Sequence, residues 1–271
     1  MKISIIIPTY KPGEYIWDCL NSLLNQSCGF DQFEVVVVLN GPCYPYYNNI
    51  QQFLVNSGLH YKLLHTDNIG VSCARNAGID YVQARSREYV LFLDDDDMLS
   101  SSFIEESLAK SNDGYRQIVV SNSMCFRDGE NESYFSDYIT DCYRYNVNKP
   151  FNIFRYRCFF SSVCAKLIPV SVIANIRFDS RFKVGEDSLF GFKISKNVES
   201  CVLTDFNTIY YRRIRLGSAS RRSVSFKLFL KNHFRLCSAY TRVYFSSPKE
   251  YNFWFFLSRV VASGVQCLTR K

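Results

Sequence analysis

The sequence predicts an α/β protein with a doubly wound, mostly parallel central sheet that is flanked by helices and followed by a helical C-terminal extension. One observation behind this fold class is that short apolar runs rich in β-branched residues alternate with segments whose apolar residues recur at helical spacing. Another is that these runs are continuously apolar, as strands are when helices cover both faces of a parallel sheet. Such sheets bind ligands at the carboxyl ends of their strands.

The alternation begins at the N terminus and continues through the first half of the chain. The predicted strands cover residues 3–8, 33–41, 61–66, 88–94 and 117–126. The helices predicted between them cover residues 15–27, 48–58, 71–84 and 101–111. Strands and helices that alternate at this spacing are typical of a doubly wound sheet.

The second half of the chain is less regular. From about residue 127 the sequence becomes polar and aromatic, which predicts loops. Further helices are predicted over residues 166–176 and 187–198, and two strands are predicted within residues 200–213. Residues 225–245 predict a long amphipathic helix in which basic side chains lie among aromatic ones.

The composition is that of an ordinary globular protein. Of 271 residues, 47% are hydrophobic and 21% are charged, enough for one large α/β domain or two small ones. The 11 cysteines form no C-x-x-C pair, which argues against a disulfide framework or a zinc site and favours a reducing cytoplasm. The apolar run that ends at Pro8 is too short for a secretion signal, and no run approaches the roughly 20 apolar residues of a membrane span. We therefore expect a soluble or peripheral protein.

Charge is unevenly distributed along the chain, whose formal net charge is +7. Residues 212–271 contain thirteen Lys or Arg and one acid, Glu250, whereas the remaining residues carry 19 basic and 24 acidic side chains. Because the tail is strongly basic and the rest is slightly acidic, we expect the two regions to contact different partners. Nucleic acid is not an expected partner, because no recognised nucleic-acid motif accompanies the basic charge.

Two common nucleotide-binding motifs are missing from the predicted sheet. No G-x-G-x-x-G follows the first strand and no G-x-x-x-x-G-K-[ST] occurs anywhere, which argues against NAD-type and P-loop chemistry. Instead, Thr9 and Tyr10 follow the first strand, and Asn40 and Gly41 follow the second. Tyr10 could stack on a base while Asn40 hydrogen-bonds the edge of that base. An ordinary strand-to-helix loop is the alternative interpretation.

Four consecutive carboxylates follow the fourth strand: Asp94, Asp95, Asp96 and Asp97. Mg²⁺ and Mn²⁺ prefer carboxylate oxygens and often keep substrate phosphate oxygens as their other ligands. A solvated acidic loop is the alternative, but such loops seldom follow directly on an apolar strand. We therefore interpret the run as a divalent-cation site.

Two further clusters of charged residues could take part in catalysis or in substrate binding. Glu186 and Asp187 follow Gly185 at the start of a predicted helix, where the helix dipole favours anions. They serve either as helix caps or as a general base opposite the metal. A group of arginines near residue 215 could clamp a diphosphate, with a basic surface loop or a lipid-facing patch as equal alternatives. The group comprises Arg212, Arg213, Arg215, Arg221 and Arg222.

Taken together and in this order, these segments resemble the family-2 glycosyltransferases, whose nucleotide-sugar-binding architecture is called GT-A. Members begin with a strand that ends P-T-Y-N, here IIIPTYK, and their second strand ends D-D-G-S, here VVVVLNGP. A helix then carries A-R-N-x-G, here NIGVSCARNAGI, and a later strand ends L-D-x-D-D, here LFLDDDD. An E-D pair opens a further helix, here VGEDSLFGF. The resemblance extends from residue 3 to about residue 220.

The resemblance implies a nucleoside pocket at the first two strands. Pro8, Thr9 and Tyr10 would line this pocket, and Arg75 would contact the nucleotide. One departure concerns the base-reading Asp of the second strand, which is Asn40 here. Asn can accept a hydrogen bond from the imide N–H of uracil, but it also offers donors and carries no charge. UDP stays the expected nucleotide.

The resemblance also divides the acidic residues by role. Asp94 and Asp96 would form the D-x-D pair that faces the metal, with Asp96 as the direct ligand. Asp94 would also contact the nucleotide, as would Asp95 at the variable position, while Asp97 would support the loop. Asp187 would be the catalytic base.

The implied reaction is inverting transfer of a sugar from a nucleotide-sugar donor to a hydroxyl of a saccharide or lipid-linked saccharide acceptor, as in bacterial surface polysaccharide or glycan synthesis. A Mn²⁺ or Mg²⁺ ion would neutralise charge on the leaving diphosphate, over which Arg212, Arg213 and Arg215 would close. Asp187, with Glu186 beside it, would take the acceptor proton. The alternatives are an inactive nucleotide-sugar-binding homologue and a sugar nucleotidyltransferase.

The predicted domains follow from the extent of the resemblance. A GT-A domain covers residues 1–220, with a nucleotide-binding half over residues 1–126 and an acceptor-side half over residues 127–220. Residues 221–271 form a basic, aromatic, helical extension. Its apolar face would by default pack on the main domain, but a basic amphipathic helix also suits an anionic membrane surface. We expect a cytoplasmic protein, with peripheral attachment to the inner face of the plasma membrane as a hypothesis.

Overall fold

The computed structural model describes residues 1–85, 87–112, 116–128, 134–215 and 226–269, with side chains for all of these except residues 226–229 and 265–269. Arg221, Arg222 and the predicted domain boundary after residue 220 lie outside the described residues. The strands of the described part are β1 (Ile3–Thr9), β2 (Phe33–Asn40), β3 (Tyr61–Thr66), β4 (Tyr89–Phe92), β5 (Met98–Leu99), β6 (Gln117–Val120), β7 (Asn122–Arg127), β8 (Lys166–Pro169), β9 (Ser200–Leu203) and β10 (Ile209–Ile214).

The helices lie between these strands and beyond them. The α-helices of the described ranges are α1 (Tyr15–Leu24), α2 (Tyr46–Ser57), α3 (Val71–Gln83), α4 (Phe103–Lys110), α5 (Tyr138–Asn146), α6 (Val170–Ile173), α7 (Glu186–Ile194), α8 (Phe226–Ser246) and α9 (Phe253–Thr269). Short 3-10 helices cover Phe30–Gln32, Arg155–Ser161 and Ser195–Asn197.

The central sheet has seven strands in the order β3-β2-β1-β4-β8-β6-β9. The first four are parallel, with Ile3 of β1 opposite Phe33 of β2 and Tyr89 of β4. Strand β8 runs antiparallel to both of its neighbours. Every residue of β1 and β2 is buried, which is why both strands are almost continuously apolar in the sequence. The predicted α/β fold with a mostly parallel central sheet is confirmed.

A second sheet of three strands, β5-β10-β7, connects distant parts of the chain. Strand β5 follows the acidic run directly, and Tyr210 of β10 pairs with Leu99 of β5. Strand β10 therefore carries residues 210–214 alongside the acidic run, although more than 100 residues separate them in sequence. In the central sheet, the carboxyl ends of β1, β2 and β4 lie at one edge, so the residues that follow these strands form one site.

Two predicted elements were wrong. Residues 166–176, predicted as a helix, form strand β8 and the single turn α6. Short apolar runs fit a buried strand as well as a helix, and Pro169 ends the strand here. Residues 117–126, predicted as one strand, divide at Ser121 into β6 and β7, which belong to different sheets.

The C-terminal extension is helical, as predicted, and packs on the main domain. Helices α8 and α9 contact each other and α7. On α8, Leu236 lies against Gly185, and the Tyr240 hydroxyl is 2.7 Å from that of Ser188. On α9, Phe255 is fully buried against Phe160. Within the described part of the chain, no helix is both long enough and apolar enough to cross a membrane.

Candidate functional site

The acidic run forms a tight turn at the end of β4. The backbone N–H of Leu93 donates to Ile6 at 3.1 Å and so continues the pairing with β1, and the N–H of Asp97 then donates to the carbonyl of Asp94, also at 3.1 Å. The turn spreads its four carboxylates, each of which meets a different protein partner. The run is therefore not the solvated acidic loop that was one interpretation of the sequence.

Asp97 fastens the turn to β10. Its buried carboxylate accepts hydrogen bonds from the Tyr210 hydroxyl at 2.6 Å and from the backbone N–H of Arg213 at 2.8 Å. Burial, together with the negative charges of Asp94 and Asp96, raises the pKa of Asp97 well above its ordinary value. This position matches the supporting role that was predicted for Asp97.

Asp95 fastens the turn to β1. It accepts a hydrogen bond from the Thr9 hydroxyl, and burial raises the pKa of its carboxyl to about 7. The Thr9 side chain is itself buried. Thr9 and Asp95 therefore lie at the predicted nucleoside edge, but they are engaged with each other, a contact that sequence reasoning missed.

Arg75 connects the acidic run to the acidic pair of α7. From α3, its guanidinium donates to Oδ1 of Asp94 at 2.8 Å through Nη2 and to Oδ1 of Asp187 at 2.6 Å through Nη1. The side chain is 3% exposed, and its guanidinium lies 5.4 Å from the centre of the Phe178 ring. Burial alone would lower the pKa of Arg75, but the two carboxylates outweigh it and raise the pKa. A planar, always-charged fork suits this bridge between two carboxylates.

Asp187 and Glu186 begin α7 directly after Gly185, whose φ of +88° is of the kind that glycine adopts readily. Burial raises the pKa of Asp187, although the positive charge of Arg75 partly opposes this effect. Burial and the neighbouring Asp187 raise the pKa of Glu186 to about 7. The pair therefore combines partial burial with a proton affinity above that of ordinary carboxylates, which suits a general base.

The three described arginines of the predicted diphosphate clamp differ in position. Arg213 is bound within the protein, because its guanidinium donates to Asp18 and to Asp128 at 2.7 Å each. Arg212 pairs with Asp137 at 2.8 Å. In this structure both guanidinium groups pair with carboxylates of the protein, and the predicted clamp role of Arg212 and Arg213 stays a prediction. Arg213 also borders the acidic run, since its Nε donates to the carbonyl of Asp96 at 2.9 Å. Of the three, Arg215 is the one whose guanidinium pairs with a carboxylate of the run, with its Nε 2.7 Å from Oδ2 of Asp96.

The predicted nucleoside side has one exposed aromatic residue. Tyr10 is 47% exposed, and its ring lies so close to Gly41 that any side chain there would collide with it. Pro8 is a buried residue of β1. Asn40 is buried as well, and its amide donates to the carbonyl of Asn68 and accepts from the N–H of Gly70 at 2.7 Å. In this structure Asn40 therefore holds the loop before α3, and its predicted contact with a base stays a prediction.

Comparison with known proteins identifies the family. The family model described as "Glycosyl transferase family 2" matches residues 4–170, which is more than half of the chain. The chain belongs to glycosyl transferase family 2. The described architecture is the GT-A fold that the motifs predicted.

Several family members can be compared with this chain directly. "Glycosyltransferase GlyA" of Streptococcus pneumoniae serotype 4 is 29% identical over 230 residues, which are 81% of this chain and 32% of GlyA. The poly(ribitol-phosphate) beta-N-acetylglucosaminyltransferase TarS of Staphylococcus aureus is 24% identical over 80% of this chain and 36% of TarS. The chain thus spans about a third of the length of these curated relatives.

A solved structure supports the fold independently. The crystal structure of S. aureus TarS 1-349 in complex with UDP-GlcNAc has a TM-score of 0.70 and 22% identity, and the match covers 89% of this chain and 66% of that one. At this level of identity the similarity establishes the fold that this family member shares with TarS, and no more than the fold.

The acidic run offers only some of the ligands that a divalent cation needs. Among the described residues, no group of three or more His, Cys, Asp or Glu side chains is arranged to hold a metal ion. Asp95 and Asp97 are engaged with hydroxyl and N–H donors, whereas Asp94 and Asp96, whose side chains are 38% and 17% exposed, pair with Arg75 and Arg215. These hard oxygen ligands suit Mg²⁺ or Mn²⁺, cations that fill their other positions with water and substrate phosphates. The protein therefore offers two carboxylates, and a bound diphosphate would have to supply the rest.

Lys166 is a residue of this site that sequence reasoning missed. Its buried ammonium donates to the carbonyls of Ser162 and Cys164 at 2.9 and 2.8 Å, on either side of Val163. Burial raises the pKa of Asp187, whereas the positive charge of Lys166 and the backbone of Val163 act in the opposite direction. Burial lowers the pKa of Lys166 to about 8. The sequence did not point to Lys166 because residues 166–176 were predicted as a helix, whereas Lys166 lies in strand β8 of the central sheet.

Proposed function

We propose that this protein transfers a sugar from a UDP-linked donor to an acceptor hydroxyl, with inversion at the anomeric carbon, in the assembly of a bacterial surface polysaccharide. The observation that carries the proposal is the single guanidinium of Arg75, which joins Asp94 of the donor-side run to Asp187 of the acidic pair. One buried cation thus fixes the distance between the carboxylate that would face the nucleotide and the carboxylate that would act as base.

The donor would bind at the edge formed by β1, β2 and β4. Tyr10 offers an exposed ring to a nucleobase, and the loop that Asn40 holds would form the wall beside it. The relative TarS has been solved with UDP-GlcNAc, which makes a UDP-sugar the donor class to test first. A divalent cation held by Asp96 and Asp94 would supply positive charge to the leaving diphosphate.

The chemical step would use Asp187 as the base. Its carboxylate would accept the proton of the acceptor hydroxyl as that oxygen forms a bond to the anomeric carbon and the bond to the diphosphate breaks. Arg75 would hold the carboxylate in place, and the raised pKa of Asp187 keeps it a stronger base than an exposed Asp. Arg215 would exchange its ion pair with Asp96 for the departing diphosphate.

Product analysis tests the proposal and separates it from its alternatives. The protein is incubated with UDP-GlcNAc, UDP-Glc, UDP-Gal and GDP-Man, with Mn²⁺ or with EDTA, and the released nucleotide is measured with water or an acceptor mixture present. We expect slow UDP release from at least one UDP-sugar that depends on the divalent ion. Pyrophosphate formed from UTP and a sugar phosphate would instead show a nucleotidyltransferase. Donor binding without any release, in the presence of acceptor, would show an inactive homologue.

A further inference from the structure

Helix α9 is apolar on two faces, only one of which is used by the fold. Phe255 and Phe256 are buried against the main domain and α8. On the opposite face, Phe253, Trp254 and Leu257 are 48%, 62% and 38% exposed, and Val261 continues the same stripe at 56%. Their spacing places all four on one side of the helix. Packing among the described residues therefore leaves the second face of α9 uncovered.

The exposed face ends in an aromatic cluster where α8 turns into α9. We call Phe245, Phe253 and Trp254 the aromatic tip. Phe245 is 67% exposed, and its ring centre lies 6.4 Å from that of Phe256, which is itself 6.3 Å from Phe253. The rings of Phe253 and Trp254 are 5.5 Å apart. Phe253 and Trp254 therefore form an exposed pair of rings, and Phe245 joins them through their shared neighbour Phe256.

The connection between the helices is held in place from the other side. Tyr251 is buried, and its ring stacks on Phe192 with 4.9 Å between centres. Glu250 pairs with Lys196 at 2.7 Å. Because these contacts fix the loop to the main domain, the aromatic tip is presented in a defined orientation without further ordering.

The charge around the aromatic tip is positive. Residues 226–269 contain six Lys or Arg and one acid, Glu250, whose charge is already neutralised by Lys196. Arg242, one turn before Phe245, and Lys249, four residues before Phe253, are exposed, and no carboxylate of the described residues forms an ion pair with either. Exposed aromatic rings beside unopposed cations complement a surface that is apolar inside and anionic outside.

We propose that the aromatic tip docks this protein on an anionic lipid bilayer. Trp and Phe side chains are favoured at the boundary between head groups and acyl chains, and basic residues near a membrane are attracted to anionic head groups. A protein partner of comparable apolar character would not require the surplus of positive charge. This inference stands without the proposed function, because it uses none of the residues of the candidate site.

Docking at this point would also bring the acidic pair near the bilayer, a consequence that does rest on the proposed function. Leu236 of α8 touches Gly185, directly before the pair, and nine residues separate it from Phe245. At the rise of an α-helix this is a distance of about 14 Å along the axis. An acceptor carried on a lipid would therefore be within reach of the acidic pair.

Vesicle flotation of the full chain tests the proposal. We expect the protein to float with vesicles of phosphatidylglycerol and phosphatidylcholine, to bind vesicles of phosphatidylcholine alone much more weakly, and to dissociate from the anionic ones as salt rises. Phe253→Ser with Trp254→Ser should lower the partition coefficient by about tenfold or more. Arg242→Glu with Lys249→Glu should remove the preference for anionic vesicles. Tyr44→Ser, at an 82% exposed aromatic residue outside the tip, is the matched control and should change nothing.

Each other outcome overturns the proposal. Equal flotation of the wild type and the Phe253→Ser, Trp254→Ser variant would show that the aromatic tip does not insert. A second outcome is that the wild type does not float with vesicles but self-associates in sedimentation, and that this variant abolishes the self-association. Such a result would show that the surface is an interface between protein chains. Unchanged thermal melting of the variants, expected because the substituted side chains are exposed, excludes unfolding as the cause. No donor or acceptor is present, so the result is independent of the transferase reaction.

Discussion

The two acidic regions, residues 94–97 and residues 186–187, are held in different ways. In the first, each carboxylate has its own protein partner, so the run is a fixed turn that joins β1, β4, α3 and β10. In the second, burial raises the pKa of both side chains, and Arg75 is the cation that pairs with Asp187. Burial raises the pKa of Asp95, to about 7, and of Asp97 as well, so the two regions differ in their partners and not in their proton affinity. Asp95 and Asp97 are held by donors of β1 and β10, whereas Asp187 is held through the Arg75 guanidinium.

Removal of Arg75 should break this arrangement most severely. Arg75→Met leaves Asp94 and Asp187 without their shared cation, and we expect the free energy of unfolding to fall by about 3–5 kcal/mol. Without Arg75 the pKa of Asp187 should rise further, so any remaining transfer activity should require a higher pH than in the wild type. Chemical denaturation and a pH–rate profile measure the two effects.

Arg177→Met is the matched control for this substitution. Arg177 also pairs with an Asp, at 2.7 Å from Asp80, but this pair lies at the surface. Surface ion pairs contribute about 0–1 kcal/mol, so the control should lose little stability and no activity. An equal loss in both variants would show that Arg75 is an ordinary structural arginine.

Two alanine variants within the acidic run should separate structure from binding. Asp97→Ala deprives the Tyr210 hydroxyl and the Arg213 N–H of their acceptor and should cost about 2–3 kcal/mol of stability. Asp96→Ala removes a side chain that is 17% exposed and whose partner is the more exposed Arg215, and it should cost less than about 1 kcal/mol, while it weakens UDP binding in the presence of Mn²⁺. Calorimetry of folding and of UDP binding gives both quantities, and the reverse pattern would exchange the two assignments.

A further expected effect concerns Glu186 and depends on pH. A folded-state pKa of about 7 lies above the ordinary value of 4.5, so the stability linked to this group is present below about pH 4.5 and is lost as the pH rises through about 7. Glu186→Gln removes the charge and should raise the free energy of unfolding by about 1–2 kcal/mol near pH 8. Near pH 4 the gain should vanish. The exposed control Glu199→Gln should show no such difference between the two pH values.

The sequence could predict the parts of the molecule that local pattern determines. Continuous apolar runs located β1, β2 and β4, and the residue types that follow them located the acidic run and the acidic pair. Contacts between distant segments were not predictable. Three features depend on how the strands assemble: the pairing of Arg213 with Asp18 and Asp128, the hydrogen bond between Thr9 and Asp95, and the place of Lys166 in β8. The sequence shows which residues are charged, but it does not show which residue each of them pairs with.

The central claim is that Asp187 is the catalytic base beside a donor-side carboxylate. The most direct test compares two quantities for the Asp187→Asn variant, its rate of UDP release and its affinity for UDP. Asn has nearly the same shape as Asp and can still accept a hydrogen bond from Arg75, so we expect UDP affinity to stay within about threefold of the wild type. The rate of release from the preferred UDP-sugar should fall by about a hundredfold to ten-thousandfold. Asp80→Asn, an exposed carboxylate on the same helix as Arg75, should leave both values unchanged. A wild-type rate in Asp187→Asn would contradict the account, because it would show that Asp187 does not take the acceptor proton.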